Sequence, residues 1–411
     1  MVDIAQYLLD FSLDNENSLF ERKKTRIEYF YHNNQNIPKF INEYWTAKQR
    51  QSNSLHEVSY RACFKPQLPR FFIEILTQEN DIVYDPFSGR GTTALEAALL
   101  NRRFIANDIN PLSEILLKPR VQPPTLIEIS NRLDEIDFNK EIEPDIDLTM
   151  FYHERTLKEI LALRDYLKNK NKLNNEDHID IWIRMVATNR LTGHSKGFFS
   201  VFTLPPNQAV SQNSQIKINE KRNQTPEYRN VKNIIIGKSK DLLKDISERI
   251  RIRLWNIKDL SKFTNCDAGS TNIIDSDSIS LTVTSPPFLD IVQYANDNWL
   301  RCWFNNLDVN IISKGIEMSK TLEMWNHFIS RVFNQLYRIT KNGGYVAFEV
   351  GEVRNGKVKL DENVVNIGIN SGFKCLGILI NDQIFTKTSN IWGVDNNDKG
   401  TNTNRIVIFK K

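Results

Sequence analysis

Cysteine is scarce in this chain, and none of it is clustered. The 411 residues hold four cysteines, Cys63, Cys266, Cys302 and Cys375, and no Cys-x-x-Cys pair. That spacing argues against a structural zinc site or a zinc-activated deaminase. It reads instead as isolated reduced thiols in a cytoplasmic setting. Long apolar runs are missing too: nothing approaches the roughly 18 uninterrupted residues of a membrane helix. The opening stretch MVDIAQYLLDFSLDNENSLF sets Asp3 and Asp10 around a short apolar run without a basic flank. A secretory leader is therefore not expected. Net charge is small, +4, with 40% hydrophobic and 25% charged residues, as in an ordinary globular protein.

The charge is unevenly placed. Between Ile181 and Lys240 lie ten basic residues against Glu220 and Glu227. An excess of eight positive charges there leaves the rest of the chain acidic and suggests a polyanionic partner on one face.

Along the chain, residues 1–59 read as a mainly helical segment. FKPQLPRFFIEILTQ, residues 64–78, is a proline-punctuated start to an apolar helix. DIVYDPFSGRGTTALEAALLNRRFIANDINP then reads as a β-loop-α-β unit. It has a strand at Ile82–Tyr84, a glycine turn at Ser88–Gly91, a helix from Thr92 to Leu100 and a strand from Arg103 to Asn107 that ends at Asp108. Units of that kind build parallel sheets. Residues 119–254 break the pattern, first acidic and helical, then basic and loop-like, and read as an insertion. Afterwards SLTVTSPPF, YVAFEVGEV, KCLGILI and RIVIFKK read as strands. NHFISRVFNQLYRIT between them is an amphipathic helix, with KNGG as its expected glycine cap. The fold class is α/β, a doubly wound sheet.

Gly89-x-Gly91-x-x-Ala94 satisfies the G-x-G-x-x-A dinucleotide fingerprint, and Asp108 lies where a ribose-binding acid belongs. Phosphate-binding loops put the first glycine directly after the strand. Here Asp85, Pro86, Phe87 and Ser88 intervene. A carboxylate at Asp85 repels pyrophosphate and attracts an ammonium. S-adenosylmethionine offers that ammonium, with a sulfonium, a carboxylate for the helix end and a ribose diol for Asp108. Its charges fit better than those of a nicotinamide dinucleotide.

The second informative loop is Ser285-Pro286-Pro287-Phe288, at the end of a strand. Ser285 Oγ and a loop carbonyl can accept from the amino group of a planar base. The two prolines have no N–H and fixed φ, so the turn offers acceptors in stiff positions. Phe288 supplies a flat face for stacking. Two acceptors on one amine aim its lone pair at a methyl donor, so positioning supplies much of the rate. A base inside a duplex has to be flipped to reach such a loop.

DPFSGRGTT and TSPPF resemble the cofactor and catalytic motifs of bacterial DNA amino-methyltransferases, the modification enzymes of restriction systems. The Ser-Pro-Pro-aromatic form is similar to the N4-cytosine type, and the likeness covers roughly residues 60–118 and 260–411. It implies an S-adenosylmethionine-dependent, Rossmann-like methyltransferase sheet. Asp85, Pro86, Phe87, Ser88, Gly89 and Gly91 would surround the methionine part, with Thr92 and Thr93 opening the helix. Asp108 would hold the ribose, Asp267 of NCDAG the adenine amine, and Ser285, Pro286, Pro287 and Phe288 the target amine. FKPQLPRFF resembles the segment packed over the cofactor, which makes Lys65 and Pro66 further candidates. TNTNRIVIFKK resembles the last, antiparallel strand of that fold.

The expected division is a catalytic domain of residues 60–118 and 255–411, with residues 119–254 as an inserted target-recognition lobe. Within that lobe Arg190, His194, Lys196, Gln208, Lys221 and Arg222 are the expected DNA contacts. Double-stranded DNA is the expected substrate, and a restriction endonuclease acting on the same site is the partner such a system implies. Many N4-cytosine enzymes carry the two motifs in the opposite order. The alternatives are an N6-adenine enzyme, a methyltransferase acting on RNA or a protein amide, a nicotinamide-dependent dehydrogenase and a catalytically silent DNA-binding subunit. A carbon-5 cytosine enzyme is disfavoured, since it needs a thiolate typically preceded by proline, and no cysteine here follows one.

Overall fold

The computed structural model describes residues 3–13, 24–32, 35–46, 52–61, 63–203, 209–287, 294–316, 319–350, 352–353, 358–382 and 403–411. Its strands are β1 (Arg26–His32), β2 (Gln35–Asn42), β3 (Ile82–Asp85), β4 (Arg103–Asn107), β5 (Lys262–Thr264), β6 (Ile279–Thr284), β7 (Thr340–Val350), β8 (Glu352–Val353), β9 (Val358–Lys359), β10 (Lys374–Asp382) and β11 (Thr403–Lys410). Nine of them form one sheet in the order β1-β2-β10-β11-β7-β6-β3-β4-β5. From β3 the chain builds outward through β4 and β5, then returns to place β6 and β7 on the other side. Those five strands are parallel. β11 runs antiparallel between β7 and β10, as its sequence likeness implied. The doubly wound α/β architecture is present, with its switch point between the carboxyl ends of β3 and β6. Ligands of open α/β sheets bind at such a point.

Both sheet faces are covered. Along β7, Val346, Phe348 and Val350 enter one apolar cluster while Tyr345 and Ala347 enter the other, following the period-two alternation of a strand. The helix Leu322–Ile339 buries Trp325, Phe328, Ile329, Val332, Phe333, Leu336 and Ile339, the three-four spacing of one helical face. Thr321 caps its start by accepting from the Met324 amide at 3.2 Å.

Three expectations are corrected here. The first 59 residues are not mainly helical: Ile4–Asp10 is a helix capped by Asp3, but RIEYFYH and QNIPKFIN form the β1–β2 hairpin. β1 pairs antiparallel with β2, and β2 finds a parallel partner in β10. KNGG is not a helix cap. The helix ends at Ile339, Thr340 is already extended, and the β6–β7 ladder slips between Ile279 and Leu281. A Cβ on Gly344 would lie 2.9 Å from the Lys341 carbonyl and 3.0 Å from that of Ile279, so this glycine serves a strand irregularity. Lastly, residues 119–254 do not pack as a lobe apart. Ile160, Trp182, Val186, Ile235 and Leu254 belong to the same apolar cluster as Val83 and Leu95. The boundary drawn at 254 falls inside the helix Glu248–Asp259, which leads into β5. Among the described residues no helix is long and apolar enough to cross a membrane.

Candidate active site

The glycine loop is folded by its own backbone. The Ser88 amide donates to the Asn107 carbonyl at 2.9 Å and the Gly91 amide to the Ser88 carbonyl at 2.6 Å. Gly89 and Gly91 sit at φ of 52° and 78°, the left-handed region. A Cβ on Gly91 would also lie 2.6 Å from Leu117 Cδ1. Asp108, just past β4, accepts from the Gly89 amide at 2.7 Å and the Asn110 amide at 2.9 Å. Burial pushes its pKa up to about 6 against those two bonds. The acid expected at the ribose therefore also fixes the glycine loop.

A cleft opens here at the carboxyl ends of β3, β4 and β6, with about 1020 Å³ of empty space including its mouth. Pro86, Phe87, Ser88, Gly89, Thr92 and Asp108 line one side, and Asp267, Ser285, Pro286 and Pro287 line the others. The two loops singled out in the sequence, 190 residues and more apart in the chain, thus face one space. Ser88 Oγ is buried and has no hydrogen-bond partner among the described residues. A buried hydroxyl left unpaired at a cleft wall marks a place for a polar ligand group. Phe87 and Phe328, ring centroids 5.9 Å apart, add an apolar wall. S-adenosylmethionine fits this donor, acceptor and apolar set.

Several expected residues lie elsewhere. Asp85 is 1% exposed and does not line the cleft. Its carboxyl accepts from the Thr284 hydroxyl at 2.6 Å and the Phe87 amide at 3.1 Å, and burial pushes its pKa up to about 7. The expectation that it faces a ligand ammonium is corrected: the carboxyl turns inward to join β3 to β6. Thr93 likewise points inward, donating to the Val283 carbonyl at 3.0 Å. Gly91 shapes the loop from behind. Lys65 is half-buried outside the cleft lining, its ammonium pKa lowered by burial. Phe288 and Gln208 fall outside the described residues.

The Ser-Pro-Pro loop is held from two directions. Trp325 Nε1 donates to the Pro287 carbonyl at 3.0 Å. That bond occupies one acceptor site of the loop and fixes its turn. Behind Ser285 lies Glu349, buried near the end of β7; burial raises its pKa, while hydrogen bonds from Ser285 and Asn404 oppose the rise. A serine hydroxyl that gives its single proton to a carboxylate keeps its lone pairs for another donor. The sequence reading missed Glu349, although an acid inside the apolar run YVAFEV was a visible signal. Phe64, which opens the FKPQLPRFF segment, lines the cleft, but the sequence reading missed Tyr60 and Cys63 beside it. Nothing in their local sequence sets them apart. Arg90 draws that segment in, donating to the carbonyls of His56 and Val58 at 3.3 and 3.0 Å.

Among the expected DNA contacts, His194, Lys196, Lys221 and Arg222 are exposed. Arg222 lies over the Phe202 ring at 3.8 Å. Arg190 is 8% exposed, its guanidinium 4.0 Å from the Phe198 ring, and burial lowers its pKa to about 10. It is not presented to solvent as the sequence reading supposed. Part of the basic excess is neutralised internally, as Arg184 pairs with Glu176, Lys232 with Asp134 and Lys238 with Glu57.

An α/β protein with a nucleotide-type glycine loop and a rigid acceptor loop on one cleft is the class defined so far. Residues 4–115 match the family model described as DNA methylase. The chain is 30% identical over 128 residues to the Type II methyltransferase M.MvaI of Kocuria varians, covering 30% of this chain and 25% of that protein. It is 40% identical over 62 residues to the orphan methyltransferase M.BamHII of Bacillus amyloliquefaciens, covering 15% and 23%. The matched stretches thus span a quarter or less of those relatives' lengths. A solved SAM-dependent methyltransferase from Methanosarcina mazei aligns over 83% of this chain and 96% of its own, at 10% identity and a TM-score of 0.33.

Proposed function

We propose that this protein is a DNA amino-methyltransferase that moves a methyl group from S-adenosylmethionine to the exocyclic N4 amine of a flipped cytosine, as the modification enzyme of a restriction system. The observation that carries the reading is the meeting of the glycine loop and the Ser285–Pro287 loop on one cleft. The DNA methylase family match over residues 4–115 and the methyltransferase relatives support it. The Ser-Pro-Pro form favours cytosine over adenine.

Bound S-adenosylmethionine supplies an electrophilic methyl on sulfur; the chain's own residues do the rest by position. Ser88, Gly89 and Asp108 hold the methionine and ribose ends, and Asp267 meets the adenine edge. Ser285 Oγ accepts from the target amine because its own proton is given to Glu349. A carbonyl of Ser285 or Pro286 accepts the second N–H, so the nitrogen lone pair leaves conjugation and faces the cleft. The stiff proline backbone keeps that geometry without a further ordering cost. Exposed basic residues, Lys196, Lys221 and Arg222 among them, neutralise DNA phosphates.

Incubation with labelled S-adenosylmethionine and mixed DNA, then digestion to nucleosides, tests this. N4-methylcytosine is expected. N6-methyladenine would move the target base within the same chemistry. Cofactor-dependent labelling of RNA or protein alone, or no labelling beside bound nicotinamide dinucleotide, would overturn the proposal.

A further inference from the structure

We propose that Arg331 sets the cleft's selectivity for an amino-bearing purine by fixing the carboxylate of Asp267. The inference rests on the reading of Asp267 as the contact for the cofactor's adenine amine. Asp267 follows β5 and lines the cleft. Its Oδ1 accepts from the Gly269 amide at 2.8 Å, and its Oδ2 is bonded by the Arg331 guanidinium. The guanidinium packs against the glycine: a Cβ at Gly269 would lie 2.8 Å from one terminal nitrogen of Arg331 and 3.0 Å from Nε, so an alanine there would push it aside. Phe328, three residues before Arg331 on the same helix, supplies part of the cleft's apolar wall. One helix face thus presents a flat apolar surface and, one turn on, the cation that orients the acid at its edge.

The pair is a poor device for stability. The Arg331 and Asp267 side chains are 43% and 45% exposed, and ion pairs that open to water contribute little to folding. Orientation is what it supplies. A carboxylate offers about four lone-pair directions. With one oxygen anchored by an amide and the other by a guanidinium, the remaining directions are fixed before a ligand arrives. An exocyclic amine at purine position 6 donates into one of them. A purine with hydrogen there offers no donor and leaves the acid unrewarded. Without Arg331 the carboxylate turns to water and has to be ordered on binding, so the amino ligand loses its advantage.

Calorimetric dissociation constants for S-adenosylhomocysteine and its 6-deamino analogue test this without turnover. The unaltered protein should prefer the amino ligand by roughly 10- to 100-fold, the range for a hydrogen bond to a charged group. Arg331→Ala should shrink that preference to about threefold by weakening only the amino ligand, and Arg331→Lys should restore part of it. Gly269→Ala, which displaces the guanidinium, should behave like Arg331→Ala. Equal weakening of both ligands would overturn the proposal by making Arg331 a scaffold residue. Asp267→Ala separates the two layers. If it leaves the preference intact, the adenine reading of Asp267 fails. If it abolishes the preference while Arg331→Ala does not, the role of Arg331 fails.

Discussion

Asp85, the last residue of β3, accepts a 2.6 Å hydrogen bond from the hydroxyl of Thr284, the last residue of β6. The backbone pairing of the two strands runs through Val83–Leu281 and Tyr84–Thr282, so this side-chain bond joins their ends where the glycine loop and the Ser-Pro-Pro loop begin. That buried contact ties together the strand ends from which both loops start.

Protonation of that carboxyl should be visible in stability. Asp85 and Asp108 have pKa values pushed up to about 7 and about 6, so the folded chain holds both protons more tightly than the unfolded one. The stability they contribute is full below about pH 4 and is lost as pH rises through those values. Asp85→Asn should remove the part due to Asp85, so the variant should gain on the unaltered protein between about pH 4.5 and 8. Urea unfolding at both ends of the range checks this. A constant difference between the two proteins would mean that Asp85 does not titrate there.

Ser285→Ala should slow single-turnover methyl transfer by roughly 100-fold, in the range for losing one pre-placed hydrogen-bond partner. Cofactor affinity should stay nearly unchanged, because the proposed mechanism gives Ser285 a contact with the target amine and none with the cofactor. Glu349→Gln should fall between the two, since a glutamine amide can itself donate to Ser285 Oγ and compete with the amine. Single-turnover rates beside equilibrium cofactor binding separate these effects.

The glycines offer a contrast in cause. Gly91→Ala meets both a positive φ of 78° and the Leu117 side chain at 2.6 Å. Gly343→Ala meets φ of 79° with no neighbour within 4 Å. Backbone strain alone costs about 1 kcal/mol, and overpacking adds about 1–3. Gly343→Ala should therefore be the milder change by thermal unfolding, and Gly91→Ala alone should also weaken cofactor binding.

Neutralising Lys221 and Arg222 together should reduce the slope of log affinity against log salt by about 2, near 0.9 for each phosphate left without its cation. Arg190→Ala should leave that slope alone and lower the melting temperature, because its guanidinium is packed on Phe198. A changed slope for Arg190→Ala would return it to the DNA face.

What could be read from the chain alone was whatever repeats locally. The β3-loop-helix-β4 unit and the apolar face of Leu322–Ile339 follow from period, turn residues and spacing, which need no distant partner, while the antiparallel direction of the final strand came from the family resemblance alone. The two motif loops were legible because glycine and proline restrict their own backbones. The β1–β2 hairpin was not, since its strands became favourable only when β10 offered an edge. KNGG was misread because a glycine pair suits a helix cap and a strand irregularity equally, and the pairing of β6 with β7 decided between them.

Side-chain direction was likewise settled by the tertiary structure. Sequence put Asp85 beside a ligand loop, but packing turned it toward Thr284, where a buried carboxyl finds a hydroxyl. Sequence counted Arg190 among the basic surface, but Phe198 drew it into the interior. Residue types and their spacing determined which chemistry the chain carries. Only the folded sheet, by bringing Glu349, Tyr60 and Arg331 to loops far from them in sequence, decided which groups support that chemistry, because hydrogen bonds and burial act across space and leave no period in the text.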